Sequence, residues 1–193
     1  IKNCDAYFAT GSNNSSRYFE YYFAKYPSII RKNRTSVAII SGKETDQDLE
    51  KLADDAYQYF GLGCRNVTKI FVPKNYDFVR LLNVFKKYDH LIDHHKYKNN
   101  YDYNLAIHIL NNQFYMTNGS IILVENESPF SPIRQLNYEY YSNENEVREK
   151  LKNDRRLQCI VSKEDIDFGE AQCPGVCDYA DSVDTMKFVM QLR

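Results

Sequence analysis

Cys64 has the setting that most suggests chemistry. It ends the sequence Gly61-Leu62-Gly63-Cys64, between a helical pattern and a β-branched run, and Arg65 follows it. Glycines allow a sharp turn and the close approach of another molecule. A neighbouring cation stabilises a thiolate, the nucleophilic form of cysteine. Because an isolated cysteine is more often buried and inert, a nucleophilic role for Cys64 needs support from the rest of the chain.

The histidines offer two further kinds of site. His90 and His94 are four residues apart and could place two imidazoles on one helix face as zinc ligands, with His95 and His108 nearby. The glutamate that accompanies such a pair in zinc enzymes is missing, so a surface or inter-element role is favoured. Alternatively, His94 or His95 could serve as the base for Cys64 in a thiol hydrolase or acyltransferase.

The other cysteines do not form a recognisable motif. The chain has five cysteines, an odd number with irregular spacing, which favours reduced thiols over disulfides. Cys173 and Cys177 flank Pro174-Gly175 at a spacing different from that of CxxC motifs. We predict that these two thiols are unreactive.

Strand and helix patterns alternate along the chain. Short β-branched or aromatic runs predict strands at 4–10, 36–40, 67–72, 120–124, 135–141 and 157–161. Apolar residues at three- and four-residue spacings predict helices at 15–26, 45–60, 77–88 and 144–151. The polar segment 90–104 has no assignable period. Such alternation predicts an α/β fold with a largely parallel sheet flanked by helices.

Length and charge narrow the function classes. The 193 residues suit one main domain. The net charge of -1 does not favour nucleic acid or an anionic membrane as a partner. No apolar run approaches the length of a membrane span, and the start lacks the pattern of a signal peptide. We therefore expect a cytoplasmic chain without a membrane span, and the opening at Ile1 suggests a fragment.

Two segments resemble the aldehyde dehydrogenase superfamily at its cofactor turn and its nucleophile loop. Ala9-Thr10-Gly11-Ser12 resembles the turn that closes the family's cofactor-binding domain and faces the nicotinamide. Gly61-Leu62-Gly63-Cys64, followed by Ile70-Phe71-Val72, resembles the nucleophile loop and the strand after it. The resemblance implies that Cys64 is the nucleophile and that Gly11 and Ser12 contact the cofactor.

Two later segments continue the resemblance in the same order. Glu127-Ser128-Pro129-Phe130-Ser131-Pro132 resembles the segment that contacts the nicotinamide ribose, with its glutamate shifted by one residue. Phe168-Gly169-Glu170 and the segment 182–189 resemble the family's Phe-Gly-Gly loop and its closing strand. By resemblance, Glu127 and Phe130 are further cofactor contacts.

Two longer phrases are similar to one branch of the family, the acyl-CoA reductases that supply aldehyde to bacterial luciferase. They are Arg17-Tyr18-Phe19-Glu20-Tyr21-Tyr22-Phe23 and Tyr59-Phe60-Gly61-Leu62-Gly63-Cys64-Arg65-Asn66-Val67. This similarity implies an aldehyde dehydrogenase-like catalytic domain at 35–193 with a terminal strand of the oligomerisation type. Residues 1–34 would be the last strand, turn and helix of a cofactor-binding domain, most of which lies upstream of this sequence. A homo-oligomer is also implied.

The implied reaction is the NADPH-dependent reduction of a long-chain acyl-CoA to a fatty aldehyde, without a metal. The Cys64 thiolate would displace CoA and form a thioester, with backbone amides near it holding the oxyanion. The family's water-activating glutamate would fall near Ile30 and Arg31, neither of which can take a proton from water. Two alternatives remain open at this point: the thiol hydrolase or acyltransferase, and an oligomerising fragment without chemistry.

Overall fold

The computed structural model describes residues 4–192, which form two compact units. The larger unit is residues 35–173, and the smaller consists of residues 4–34 together with 174–192. The predicted domain division placed 174–193 with the catalytic segment, whereas residues 174–192 group with the N-terminal segment. The roles predicted for the two segments stay predictions.

The described chain contains eight strands and six α-helices. The strands are β1 Tyr7–Thr10, β2 Ser28–Arg31, β3 Thr35–Ile39, β4 Val67–Pro73, β5 Met116–Thr117, β6 Ile122–Glu125, β7 Gln135–Tyr141 and β8 Leu157–Val161. The α-helices are α1 Asn13–Phe23, α2 Asp46–Tyr57, α3 Phe78–Phe85, α4 His95–Leu110, α5 Glu144–Lys152 and α6 Thr185–Met190. None of the helices within residues 4–192 is both long and apolar enough to cross a membrane.

The larger unit is built on a six-stranded sheet in the order β5-β6-β7-β4-β3-β8. All neighbouring pairs are parallel except β5 with β6. Successive residues of a strand point to opposite faces. Ala38 and Ile40 therefore contribute to the core that includes α2 and α3, whereas Val37 and Ile39 contribute to the core beneath α5. The predicted α/β fold with a largely parallel sheet flanked by helices is confirmed.

Helix α2 begins where the sequence places a strong start signal. The Thr45 hydroxyl accepts a hydrogen bond from the Asp48 backbone N–H, and the Asp48 carboxylate accepts one from the Thr45 N–H. This reciprocal capping satisfies two backbone donors at the helix start. The helix ends at Tyr57, and the chain then kinks through Gln58–Gly61, which leads into the turn that carries Cys64.

Helix α4 occupies most of the segment that the hydrophobic pattern left unassigned. Its buried residues are Tyr97, Tyr101, Asn104 and His108, at spacings of four, three and four. The spacing is helical, but half of the buried face is polar, so a search for apolar periodicity does not find it. The Asn104 amide donates to the Ile133 carbonyl, and the His108 ring contacts Gln113 and Gln135, which explains how this face is accommodated.

The smaller unit differs from expectation in three places. Strand β2 was not predicted, and it pairs in parallel with β1. Strand β1 spans Tyr7–Thr10 and is only partly buried, whereas a buried strand from Cys4 was expected. The predicted closing strand at 182–189 is wrong, because α6 covers most of that segment. The Asp184 carboxylate accepts a hydrogen bond from the Lys187 N–H at 2.8 Å, and this N-cap favours a helix there.

Candidate active site

Cys64 lies in a tight turn between the kinked segment Gln58–Gly61 and strand β4, and it is exposed. Gly63 and Asn66, the outer residues of this turn, bond to each other twice. The Gly63 N–H donates to Asn66 Oδ1 at 2.7 Å, and the Asn66 N–H donates to the Gly63 carbonyl at 3.1 Å. Cys64 and Arg65 are therefore the two central residues of a closed loop, residues 63–66, which we call the nucleophile turn after the role predicted for Cys64.

The side chain of Asn66 ties the nucleophile turn to the end of α2. Its Nδ2 donates to the Asp55 and Gln58 carbonyls, each at 2.9 Å, which satisfies backbone acceptors that a helix end leaves open. A Cβ at Gly63 would lie 3.0 Å from Asn66 Oδ1. The absence of a side chain at Gly63 therefore makes room for Asn66, an explanation that differs from the expected approach of a substrate.

The backbone before the nucleophile turn is strained. Tyr59 and Phe60 have φ values of 54° and 59°, in the left-handed region that non-glycine residues rarely adopt, and Gly61 follows at 69°. Such strain costs about 1–3 kcal/mol per residue and persists only where the surroundings enforce it. Here it presents Tyr59, Phe60 and Leu62 to the surface immediately before Cys64.

Asp55 joins the nucleophile turn to a second loop. Its buried carboxylate accepts hydrogen bonds from the backbone N–H groups of Gly169 at 2.7 Å and Ala171 at 3.1 Å. Burial raises the pKa of Asp55 to about 6, against the lowering effect of these two bonds. Arg65 Nη1 donates to the Ala171 carbonyl at 3.1 Å, so this guanidinium is engaged by the same loop.

Ser36 on β3 lies between two cysteines. Its hydroxyl is 3.1 Å from the Cys64 carbonyl oxygen, to which it can donate, and 3.0 Å from Cys159 Sγ. Cys159 is half-buried on β8, and burial raises the pKa of its thiol. The Cys64 thiol, by contrast, makes no hydrogen bond to any residue in the range 4–192.

The loop between β6 and β7 carries the predicted cofactor contacts Glu127 and Phe130, and it contacts the start of β4. Thr68 donates to the Pro129 carbonyl at 2.6 Å and also bonds to Thr35. Asn137 holds the loop through its amide, which donates to the Ser128 and Phe130 carbonyls, each at 3.0 Å. Glu127 is exposed, and within the described chain its carboxylate accepts no hydrogen bond. Phe130 is half-buried.

A cavity of about 280 Å³ adjoins Glu127 and Pro129. Its lining includes Lys69, a fully buried lysine that the sequence analysis did not single out. Lys69 Nζ donates to the Glu127 carbonyl at 2.7 Å and pairs with Glu139 at 2.5 Å. Lys69 thereby fixes the backbone at the position of the predicted ribose contact.

Gly11 and Ser12, the other predicted cofactor contacts, lie in the smaller unit at the start of α1. Ser12 is the N-cap and accepts a hydrogen bond from the Ser15 N–H at 3.1 Å. A Cβ at Gly11 would lie 2.9 Å from the Ser15 Cβ. Both residue types are therefore explained by the start of this helix, and their contact with a cofactor stays a prediction.

The histidines do not form a site with Cys64. The His94 ring lies against the Phe60 ring at a tilt of 41°, with centroids 4.9 Å apart, and no histidine between residues 4 and 192 bonds to the Cys64 thiol. The hydrolase alternative required such a bond. His94 instead lines a groove of about 130 Å³, which we call the apolar groove; its other lining residues are Phe60, Leu62, Lys96, Tyr97, Asn100 and Ile133.

No metal-binding cluster of three or more histidine, cysteine or acidic residues occurs among the described residues. Cys4, Cys173 and Cys177 are exposed free thiols. The supports of the nucleophile turn, namely Ser36, Asp55 and Asn66, were given no role from the sequence. The one available signal was Asp55, an acidic residue on the same face of the predicted helix as the apolar residues Leu52 and Ala56.

No protein-family model and no curated protein matches the chain. Solved structures do match: aldehyde dehydrogenase 21 from Physcomitrella patens, in complex with succinate, is 10% identical with a TM-score of 0.59, over 84% of this chain and 40% of that one. An aldehyde dehydrogenase from Bacillus cereus in complex with NAD+ is 12% identical with a TM-score of 0.58, over 81% of this chain and 39% of that one. A Mycobacterium tuberculosis aldehyde dehydrogenase complexed with NAD+ is 14% identical with a TM-score of 0.54, over 78% and 38%.

The chain thus spans about two fifths of the length of these enzymes. Likeness at such low identity concerns the fold, and it confirms the predicted aldehyde dehydrogenase-like architecture.

Proposed function

We propose that this chain is the catalytic part of an acyl-CoA reductase, which converts a long-chain acyl-CoA to a fatty aldehyde through a thioester on Cys64. The observation that carries the proposal is the exposed Cys64 thiol on a closed turn, within a fold shared with aldehyde dehydrogenases. The acyl-CoA specificity rests on the sequence similarity described above. The predicted cytoplasmic location and homo-oligomer stay predictions.

The first step is attack of the Cys64 thiolate on the thioester carbonyl. The Cys64 S–C bond forms, the bond from the carbonyl carbon to CoA breaks, and CoA leaves as a thiolate. The backbone N–H groups of Cys64 and Arg65 donate no hydrogen bond to any residue in the described chain, so they are free to stabilise the oxyanion. A donor of this kind contributes about 3 kcal/mol in other enzymes.

The residues at the position of the family's water-activating glutamate support reduction over hydrolysis. Ile30 and Arg31, where the family's water-activating glutamate would fall, lie on β2 and cannot serve as a base. The apolar groove offers Phe60 and Leu62 as a surface for the first carbons of an acyl chain. An apolar chain covering this surface would also keep water from the thioester.

A nicotinamide coenzyme supplies the hydride when bound, and we propose NADPH for this role. The exposed Glu127 carboxylate, free of hydrogen bonds to residues 4–192, fits a partner with hydroxyl groups such as a ribose. Phe130 on the same loop, and Gly11 and Ser12 in the smaller unit, are the other proposed contacts. Hydride addition to the thioester carbonyl would leave an alkoxide on Cys64. Its collapse breaks the carbon–sulfur bond and gives the aldehyde and the Cys64 thiolate.

The test is mass spectrometry of the full-length enzyme mixed with acyl-CoA without nicotinamide, comparing wild type with Cys64→Ala. We expect an acyl adduct on wild type alone, cleared with release of aldehyde when NADPH is added. The control is Cys173→Ala, an exposed thiol that should leave the adduct unchanged. An adduct that persists in Cys64→Ala, or is absent from wild type, would refute the nucleophile assignment.

A further inference from the structure

Asn66 is the residue on which the shape of the nucleophile turn depends. It is fully buried, and both ends of its side-chain amide are used: Oδ1 accepts from the Gly63 N–H, and Nδ2 donates to the Asp55 and Gln58 carbonyls. The amide thus supplies donors to carbonyl groups that have no hydrogen-bond partner within the helix at its C-terminal end. It also fixes the position of Gly63 relative to α2.

The two residues held inside this clamp are the ones that meet the substrate in the proposed reaction. With the Gly63 N–H bound to Asn66 and the Asn66 N–H bound to Gly63, the N–H groups of Cys64 and Arg65 are left without partners within residues 4–192. The Cys64 carbonyl is held from the other side by Ser36 at 3.1 Å. The turn is therefore fixed at its base while its tip is free to donate.

We infer that Asn66 is a positioning residue, which holds the nucleophile turn so that the Cys64 thiol and the two free N–H groups face the same reacting carbonyl. This inference takes the identity of the substrate from the proposed function. The geometry of the turn is independent of that function. Any acyl donor that forms a tetrahedral oxyanion on Cys64 would depend on the same clamp.

The clamp can be loosened in two ways that differ in their effect on the fold. Asn66→Ala removes all of the side-chain bonds. Gly63→Ala keeps Asn66 but places a Cβ 3.0 Å from its Oδ1, which disturbs only the closure of the turn. Asn118→Ala is a matched control, because Asn118 also donates to a carbonyl, that of Leu82, and accepts from the backbone, but at the turn between β5 and β6.

The experiment measures two rates on the full-length protein, at a temperature where circular dichroism shows each variant folded. One is acylation of Cys64 by acyl-CoA or by p-nitrophenyl acetate, which passes through an oxyanion. The other is alkylation by iodoacetamide, which does not. We expect Asn66→Ala to slow acylation about 100-fold and Gly63→Ala about tenfold, with alkylation changed less than about threefold. Asn118→Ala should alter neither rate.

If alkylation slowed as much as acylation, the variants would have changed only the accessibility of the Cys64 thiol. That result would overturn the inference. So would unchanged acylation in Gly63→Ala and Asn66→Ala. If wild type reacts with p-nitrophenyl acetate but not with acyl-CoA, the proposed function fails, whereas the positioning role is still decided by the ester. If Asn66→Ala does not fold, Gly63→Ala decides it.

Discussion

Cys64 and Cys159 lie on either side of Ser36, yet their environments are opposite. Cys64 sits on an exposed turn before β4, whereas Cys159 is half-buried within β8. The Ser36 hydroxyl meets the backbone carbonyl of the first cysteine and the sulfur of the second. One serine hydroxyl therefore holds the backbone of Cys64, whose thiol makes no hydrogen bond within residues 4–192, and bonds directly to the thiol of Cys159. Reactivity here follows from the element that carries the cysteine.

The largest expected difference between the two cysteines is their rate of alkylation. At pH 7.5 we expect iodoacetamide to modify Cys64 at least about tenfold faster than Cys159, because thiolates react and burial raises the pKa of Cys159. Peptide mass spectrometry after timed quenching measures both rates. In urea-unfolded chain the two rates should converge. Equal rates in the folded protein would remove the distinction.

Substitution of Asp55 should reduce the difference in alkylation rate between Cys64 and Cys159. It also tests how the protonation of Asp55 makes stability depend on pH. Its pKa is raised to about 6 from an ordinary 3.8, chiefly by burial, with Asp54 and Glu170 adding to the rise and the Gly169 and Ala171 N–H groups opposing it. The folded state therefore holds the Asp55 proton more tightly than the unfolded chain. The stability from this group is present below about pH 4 and is lost as pH rises to about 6.

Asp55→Asn does not titrate, so the free energy of unfolding of wild type relative to this variant should fall between pH 4 and pH 6.5. Urea unfolding at several pH values measures it, with the exposed Asp93→Asn as the control. The negative charge of Asp55 contributes to the raised pKa of Cys159. Its removal in Asp55→Asn should therefore also speed alkylation of Cys159, roughly threefold. A wild type that gains stability relative to Asp55→Asn over this pH range would contradict the assignment.

The smallest expected effect is that of Ser36→Ala, which removes both contacts of the shared hydroxyl. We expect a loss of about 1 kcal/mol in the free energy of unfolding, the usual contribution of one hydrogen bond. Because the bond from Ser36 lowers the pKa of Cys159, its loss should slow Cys159 alkylation further. Thr68→Val, at a neighbouring hydroxyl on β4, is the comparison variant. Faster labelling of Cys159 in Ser36→Ala would argue against this contact.

The local pattern of the chain determined the architecture of the larger unit. Strand β7 was predicted with its observed bounds, and α2 was predicted from its apolar spacing. Cys64 was singled out because its glycines and its place between a helix and a strand are sequence-local features; the structure confirms that place, and its role as a nucleophile stays a prediction. Such features succeed where each residue's environment follows from its neighbours in the chain.

Only the tertiary structure decided which residues hold the turn that carries Cys64. Asn66, Asp55 and Ser36 act through bonds to backbone groups that are brought together by the sheet and by α2, and their residue types alone carry no sign of this. Helix α4 was hidden because its buried face contains polar side chains that are satisfied by other elements. The segment 182–189 became a helix because of the Asp184 cap. Hydrogen bonds between residues far apart in sequence leave no periodic trace in the chain, which is why they could not be predicted from it.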